Sequence, residues 1–209
     1  MTPREEEILS VVTNCVRAIT VDQIARTWWT PTAWGRSRAK SMMQSLSREG
    51  WLQMQQALAR PVSELVAPLV TWYPHENEPD FLTLSRFLHR RAKAAAQLAE
   101  IAFATSKSTA LFGKGSVPKI KLTQMTHDLH VTEIFLNYRR HGLTSDRWVG
   151  EDNFPFTWPV QQRPDAALQN VSGSIYRAVE YGGDYSLERL QELHSAFSSP
   201  PNQLAYEIW

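Results

Sequence analysis

The amino-acid sequence predicts an α+β protein with an N-terminal and a C-terminal module joined by a helical connector. Two observations support this class: amphipathic helical segments alternate with short strand-like runs, and hydrophobic residues make up 43% of the 209 residues. Charged residues contribute 21%, an ordinary value for globular proteins that excludes a disordered or collagen-like chain. We expect the modules over residues 1–75 and 122–209 and the connector over residues 76–121.

The expected compartment follows from what the sequence lacks. Cys15 is the single cysteine, which excludes an intrachain disulfide and a cysteine-based zinc cluster. The first ten residues lack the apolar segment of a signal peptide, and no apolar run approaches the roughly 20 residues that span a bilayer. We therefore expect a cytoplasmic protein with no membrane partner.

Charge is distributed unevenly although the net charge is only +1. Residues 86–121 carry eight Lys and Arg against one acidic residue, whereas residues 122–209 carry six against eleven. A basic surface suits phosphate, and an acidic one suits a cation or a basic partner. The pattern predicts modules with different tasks.

The N-terminal module begins with three helices. Apolar residues at helical spacing predict the first helix over residues 2–14. Thr20, with Gln23 three residues later, is a capping box that begins a short second helix. Thr32 caps a third helix, which Gly50 ends.

Two strand-like segments, WLQMQQALAR and LVAPLVTWYP, follow and are expected to pair as a ribbon. This order resembles the winged helix-turn-helix family, through TVDQIARTWW and GRSRAKSMMQSLSREGWL. The resemblance implies that the third helix lies in the major groove of double-stranded DNA. A winged helix that binds protein, with merely solvated charges, is the alternative. The candidate DNA-contacting residues of this helix are Thr32, Trp34, Arg36, Arg38 and Lys40, with most contacts to phosphate.

Aromatic residues concentrate in the predicted turn between the second and third helices. Trp28, Trp29 and Trp34 are candidates for stacking on unpaired bases. Packing in the core is the alternative, because buried aromatic rings supply much of the packing energy.

The connector begins after the acidic, proline-containing break PHENEPDF. Helical spacing over Phe81–Ala104 predicts one long helix with a basic side. Such a side is usually solvated, and the alternative is that Arg86, Arg90 and Lys93 track DNA phosphates. The GKGS segment that follows lacks the spacing of a phosphate-binding loop, so it predicts no nucleotide site.

The C-terminal module has the order αβββαβ, with a helix over residues 122–140 and a second helix capped by Ser186. This order resembles the core of the PD-(D/E)xK nuclease superfamily, a restriction-endonuclease-like fold. The resemblance implies that Asp165 and Glu180 hold Mg²⁺, as the acidic pair does in working members. Gly182 stands where those members have a lysine that activates water, so the sequence does not support catalysis.

The carboxylate pair and its surroundings also have ordinary interpretations. Asp165 can be a turn residue, and Glu180 can be neutralised by Arg177 or Arg163. His127 is a candidate general base in a nuclease, although capping and core hydrogen bonds are the more common role of such a histidine. Glu133 is expected on a solvated face.

The combined order of motifs resembles the replication-relaxation family of plasmid and mobile-element proteins. The likeness is carried by PLVTWYPHENEPDF, LFGKG, THDLHVTEIFL, RPDAAL, VEYGGDYSLERLQELH and LAYEIW. It implies DNA handling in replication, mobilisation or maintenance of such an element. Relaxase-like members have an acidic residue where this chain has Gly182, so nicking does not carry over.

Three functions are compatible with the sequence. The first is a DNA-binding protein that performs no catalysis and requires no cofactor. The second is a Mg²⁺-dependent DNA nickase that uses Asp165 and Glu180, with His127 as general base. The third is an adaptor that binds a protein partner or forms a homodimer without nucleic acid.

Overall fold

The computed structural model describes residues 1–62, 64–113, 117, 120–154, 162–200 and 203–209. Helix makes up 47% and strand 20%, which confirms the α+β class. The predicted GKGS segment lies largely outside the described residues, because residues 114–116 are not among them. Within the described part of the chain, no helix is both long and apolar enough to cross a membrane.

Helices and strands alternate along the chain. Short 3-10 turns occur at Leu122–Gln124, Ser145–Arg147 and Glu151–Asn153. In chain order, the elements are α1 (Pro3–Asn14), β1 (Ile19–Thr20), α2 (Val21–Trp28), α3 (Ala33–Arg48), β2 (Leu52–Ala59), β3 (Val70–Trp72), α4 (Phe81–Arg91), β4 (Gln97–Ala104), α5 (Ser106–Phe112), α6 (Met125–Arg140), β5 (Trp148–Gly150), β6 (Ala166–Gln169), β7 (Ile175–Glu180), α7 (Leu187–Ser198) and β8 (Ala205–Ile208).

The chain forms two compact units from interleaved segments. Unit 1 comprises Met1–Glu64 and Ala96–Ser145, and unit 2 comprises Leu65–Ala95 and Asp146–Trp209. The sequence predicts three consecutive modules instead. The difference arises because strands distant in sequence pair with each other, and because α6 packs on α2 and β2 of unit 1.

The helix boundaries of unit 1 agree with their sequence signals. The Thr20 hydroxyl accepts a hydrogen bond from the Gln23 backbone N–H at 3.1 Å, and the Gln23 side chain accepts one from the Thr20 N–H at 3.0 Å. The Thr32 hydroxyl accepts the Gly35 N–H at 3.1 Å and caps α3. Gly50 ends α3 in the left-handed region with φ of +78°, which favours glycine. The predicted capping box and caps are confirmed.

Unit 1 contains a three-stranded antiparallel sheet in the order β1-β4-β2. The predicted long helix over Phe81–Ala104 is wrong, because its second half is β4, which pairs with β2 from Leu52↔Ala104 to Ala59↔Gln97. The predicted ribbon of β2 with β3 is also wrong, since β3 pairs with β8. An eight-pair ladder overrides the helix propensity of the alanine-rich segment.

Unit 2 is built on a five-stranded mixed sheet in the order β3-β8-β7-β6-β5. The β7–β8 pair is parallel and is connected by α7, while the other pairs are antiparallel. Helix α4 packs against α7. The buried core of this unit includes Trp72, Phe81, Leu84, Leu88, Leu190, Leu193, Phe197, Tyr206 and Ile208.

A buried carboxylate connects the helices of unit 1. Glu133 of α6 is fully buried, so the expectation of a solvated face is wrong. It accepts hydrogen bonds from Gln23 at 3.2 Å, Arg26 at 2.9 Å and Arg140 at 3.1 Å. A buried charge is tolerated when it is paired and hydrogen-bonded in this way.

We predict that Glu133→Ala lowers the free energy of unfolding by about 3 kcal/mol, because it removes the shared partner of two arginines. Glu64→Ala is the matched control, since this exposed carboxylate lies 3.5 Å from Arg140 and its removal is expected to cost no more than about 1 kcal/mol. Urea unfolding followed by circular dichroism measures both. Equal losses for the two variants would contradict the prediction.

Candidate nucleic-acid interface and carboxylate pair

Helix α3 itself carries several cationic residues and no acidic residue. Its sixteen residues include Arg36, Arg38, Lys40 and Arg48 and no carboxylate. The side that packs inward consists of Gly35, Ala39, Met43 and Leu46, which are buried. The candidate DNA-contacting residues Trp34, Arg36 and Arg38 lie on the opposite side and are exposed.

Two of the predicted cationic contacts of α3 are engaged by carboxylates. The Arg36 guanidinium lies 2.7 Å from Asp22, in a pair whose side chains are 62% and 54% exposed. A pair this exposed contributes at most about 1 kcal/mol, so a phosphate can replace Asp22. The Lys40 ammonium contacts both oxygens of Glu100 on β4, at 2.8 and 2.9 Å.

The aromatic residues near the α2–α3 turn occupy three different environments. Trp28 is buried, and its indole N–H donates to Glu7 at 2.9 Å. Trp29 is half-buried beneath the Arg4 guanidinium, 4.5 Å from the ring centre. Trp34 is 63% exposed, so it alone of the three has the accessible ring that contact with a ligand requires.

A cleft of about 640 Å³ lies beside these residues in unit 1. Cationic, aromatic and small polar side chains surround it. The lining residues are Thr2, Pro3, Arg4, Glu5, Trp29, Arg38, Ser41 and Met42.

The predicted basic face of the connector lies on unit 2. Arg86 and Arg90 are one turn apart on α4 and are exposed, and Lys93 is exposed just after the helix ends. These cations therefore belong to a different unit from α3.

The predicted acidic pair meets across two antiparallel strands of unit 2. Asp165 directly precedes β6 and Glu180 ends β7, where Ala166 pairs with Val179. The Asp165 carboxylate accepts the Tyr181 backbone N–H at 2.8 Å. The sequence prediction that these two carboxylates are neighbours is consistent with this register.

Tyr185 contacts the buried carboxylate of the pair. Its hydroxyl donates to Glu180 at 3.5 Å, and Glu180 is only 2% exposed. Burial raises the pKa of Tyr185 well above its ordinary range, and the charges of Glu180 and Asp165 raise it further. The phenol therefore stays protonated and acts as a hydrogen-bond donor, not as a base.

Comparison with known proteins does not assign this chain to a family. No protein-family model matches the chain, and neither a curated protein nor a solved structure matches it. The functional interpretation therefore depends on the residues themselves.

The position of the missing lysine is closed by the core of unit 2. A Cβ atom added to Gly182 would lie 2.9 Å from the side chains of Leu88 and Ile208, both fully buried. Arg91 of α4 also donates to the Gly182 carbonyl at 2.5 Å and to the Trp209 carbonyl at 2.7 Å. Helix α4 thus occupies the space that a side chain at position 182 would need.

The remaining nuclease candidates lie on different elements of the fold. His127 lies on α6 in unit 1, where its Nδ1 is 3.3 Å from Asp128. Arg177 pairs with Glu207 at 2.5 Å, and Arg163 is exposed. Among the residues that the structure describes, no three His, Cys, Asp or Glu side chains are grouped to hold a metal ion.

Two carboxylates nevertheless match the donor chemistry of Mg²⁺, which often binds through one or two carboxylates and completes its shell with water or phosphate oxygens. Asp165 and Glu180 are the residues that would hold the ion. It would supply a Lewis acid for phosphodiester chemistry.

Three residues that contribute to these sites are not predicted from the sequence: Arg4, Arg91 and Tyr185. Arg4 lies in an acidic first turn and gives no local signal of its contact with Trp29. Tyr185 contacts Glu180 and Arg91 contacts the Gly182 carbonyl, near the end of β7, and both contacts depend on the tertiary fold. A tyrosine five residues after the expected metal-binding glutamate was the one available signal.

We predict that Gly182→Ala lowers the free energy of unfolding by about 1–3 kcal/mol, because a methyl group would overpack Leu88 and Ile208. Gly183→Ala is the matched control, since nothing lies within 4 Å of its added Cβ and the expected change is within about 0.5 kcal/mol. Thermal and urea unfolding measure the difference. A Gly182→Ala variant as stable as wild type would show that this position is open.

Proposed function

We propose that unit 1 is a winged helix that binds double-stranded DNA through α3. The order α1, β1, α2, α3, β2, β4, with an antiparallel sheet in the order β1-β4-β2, supports this family. In this arrangement, β2 and β4 are the strands of the wing, and residues 60–96 are inserted between them. The recognition helix of such a fold enters the major groove.

The observation that carries the proposal is the charge of α3. The first turn of a helix carries a partial positive charge, which favours carboxylates and other anions there. Helix α3 has no acidic residue in its first turn, and it exposes Arg36 and Arg38 within its first two turns. An external polyanion such as the DNA backbone compensates this arrangement and gains from the same dipole.

Unit 2 is proposed as a nuclease-like domain without hydrolytic activity. Its β5-β6-β7-β8 order with α7 as the crossover supports the restriction-endonuclease-like interpretation, whereas the helix expected before β5 packs in unit 1. The closed position at Gly182 leaves no room for a catalytic lysine. These features favour a DNA-binding member of the replication-relaxation family, acting in plasmid or mobile-element replication, mobilisation or maintenance.

We predict that the affinity for a labelled duplex falls steeply with salt. Loss of both guanidinium groups in Arg36→Ala with Arg38→Ala is expected to reduce the slope of log affinity against log salt by about 1.8, because each phosphate contact contributes about 0.9. Fluorescence anisotropy across a salt series measures this slope.

Arg189→Ala is the control for general charge loss, since this arginine lies on α7 of unit 2 and contacts Glu192. Its slope should equal that of wild type. An adaptor without nucleic-acid function would show no salt-sensitive affinity for DNA, and that result would contradict the proposal.

A second candidate function is a Mg²⁺-dependent nickase, which is favoured by the cross-strand placement of Asp165 and Glu180. The closed position 182 opposes it, so we expect supercoiled plasmid to stay supercoiled with Mg²⁺ or Mn²⁺. Open-circle product that disappears in Asp165→Ala, with DNA binding retained, would establish the nickase. Denaturing gels of end-labelled duplex give the same answer for linear substrates.

A further inference from the structure

We propose that the α3 surface of unit 1 stacks an unpaired nucleobase on Trp34 and holds its flanking phosphate with Arg38 and Arg4. The inference rests on the proposed DNA binding and narrows the preferred substrate to duplex DNA that contains an unpaired base. Exposure, helix register, charge and a neighbouring cleft each support it.

Trp34 is unusually exposed for a tryptophan. It is 63% exposed, whereas Trp28, Trp72, Trp148 and Trp209 are buried, with only 3% to 9% of each residue exposed. An indole that stays exposed does not gain the favourable free energy of removing its large apolar surface from water. Such a ring on a cationic helix indicates a ligand with an aromatic face.

The register of α3 keeps Trp34 outside. Gly35 faces inward so closely that an added Cβ would lie 2.1 Å from the Thr30 carbonyl oxygen. Ala39, one turn further, is fully buried. With these two residues inward, Trp34 and Arg38 share the solvent side at i, i+4 spacing.

Arg38 and Arg4 make the surroundings of Trp34 suitable for phosphate. The Arg38 guanidinium lies 5.9 Å from the Trp34 ring centre and also lines the 640 Å³ cleft, which Arg4 lines from the other helix. The cleft has the volume of a small-ligand site. Its one acidic residue is Glu5, whose carboxylate accepts the Thr2 backbone N–H at 2.6 Å as part of the α1 cap.

A base must be unpaired to use this surface. Bases in a duplex present their edges in the grooves and hide their faces in the stack, whereas an unpaired base offers a face for aromatic stacking. Tryptophan and arginine also anchor protein interfaces. Helix α3 contributes four cations and no carboxylate of its own, and only Arg36 and Lys40 are engaged by Asp22 and Glu100 in the contacts described above, so its charge favours the polyanion over a protein partner.

The test compares two labelled duplexes that are identical except for one bulged 2-aminopurine. Full-length wild type is expected to bind the bulged duplex about 5- to 100-fold more tightly, the range that one base–aromatic stack provides. Binding should also quench 2-aminopurine fluorescence. Trp34→Ala should lose both the preference and the quenching, because its affinity for the bulged duplex should fall much further than its affinity for the paired duplex, and Trp34→Phe should retain most of both.

Leu111→Ala is the matched control, because Leu111 is 64% exposed on α5 of the same unit and should leave every value unchanged. Thermal unfolding checks that the Trp34 variants fold. Equal wild-type affinity for both duplexes, or equal losses on both in Trp34→Ala, would overturn this inference and leave the DNA-binding proposal standing. Absence of binding to any DNA would overturn both proposals. A Trp34-dependent dimer in sedimentation, with no preference for the bulged duplex, would also overturn the inference and would show that Trp34 contacts a second copy of the chain instead of a base.

Discussion

The antiparallel pairing of β2 with β4 is the interaction on which the rest of the structure depends. Eight consecutive pairs join these strands, so residues 60–96 become an insertion between neighbours in one sheet. Because this insertion carries β3 and α4, unit 2 receives an edge strand and a helix from the middle of unit 1. On one face of the pair, Ile101 contributes to the core of unit 1, and on the other, Glu100 holds Lys40 of α3.

Signals contained within a few residues correctly predicted where several helices begin. The caps at Thr20, Thr32 and Ser186 mark where helices begin, because each depends only on backbone groups three residues away. The alanine-rich segment before Ala104 carries the apolar spacing of a helix, yet its second half forms β4. Its choice of strand depends on a partner some forty residues earlier, which periodicity alone does not encode.

The candidate sites likewise have features that the sequence predicts and features that depend on tertiary packing. The resemblance to the PD-(D/E)xK pattern selected Asp165 and Glu180, and the antiparallel register of β6 and β7 places the two positions on neighbouring strands. Sequence also identified the departure at Gly182, but not its physical cause. That cause is the packing of Leu88, which comes from the inserted α4. The contact of Arg4 with Trp29 likewise joins helices whose mutual packing the sequence does not specify.

The interleaving of the units has a consequence for synthesis on the ribosome. Once residue 104 has emerged, β1, β2 and β4 are all available to form the sheet of unit 1. The apolar residues Phe81, Leu84 and Leu88 of α4 then stay exposed to solvent until α7 and β8 have been synthesised, about a hundred residues later. Exposed apolar faces of this kind are the ones that aggregate or recruit chaperones during slow, non-local assembly. The nascent chain therefore exposes an aggregation-prone helix face between the synthesis of α4 and that of β8.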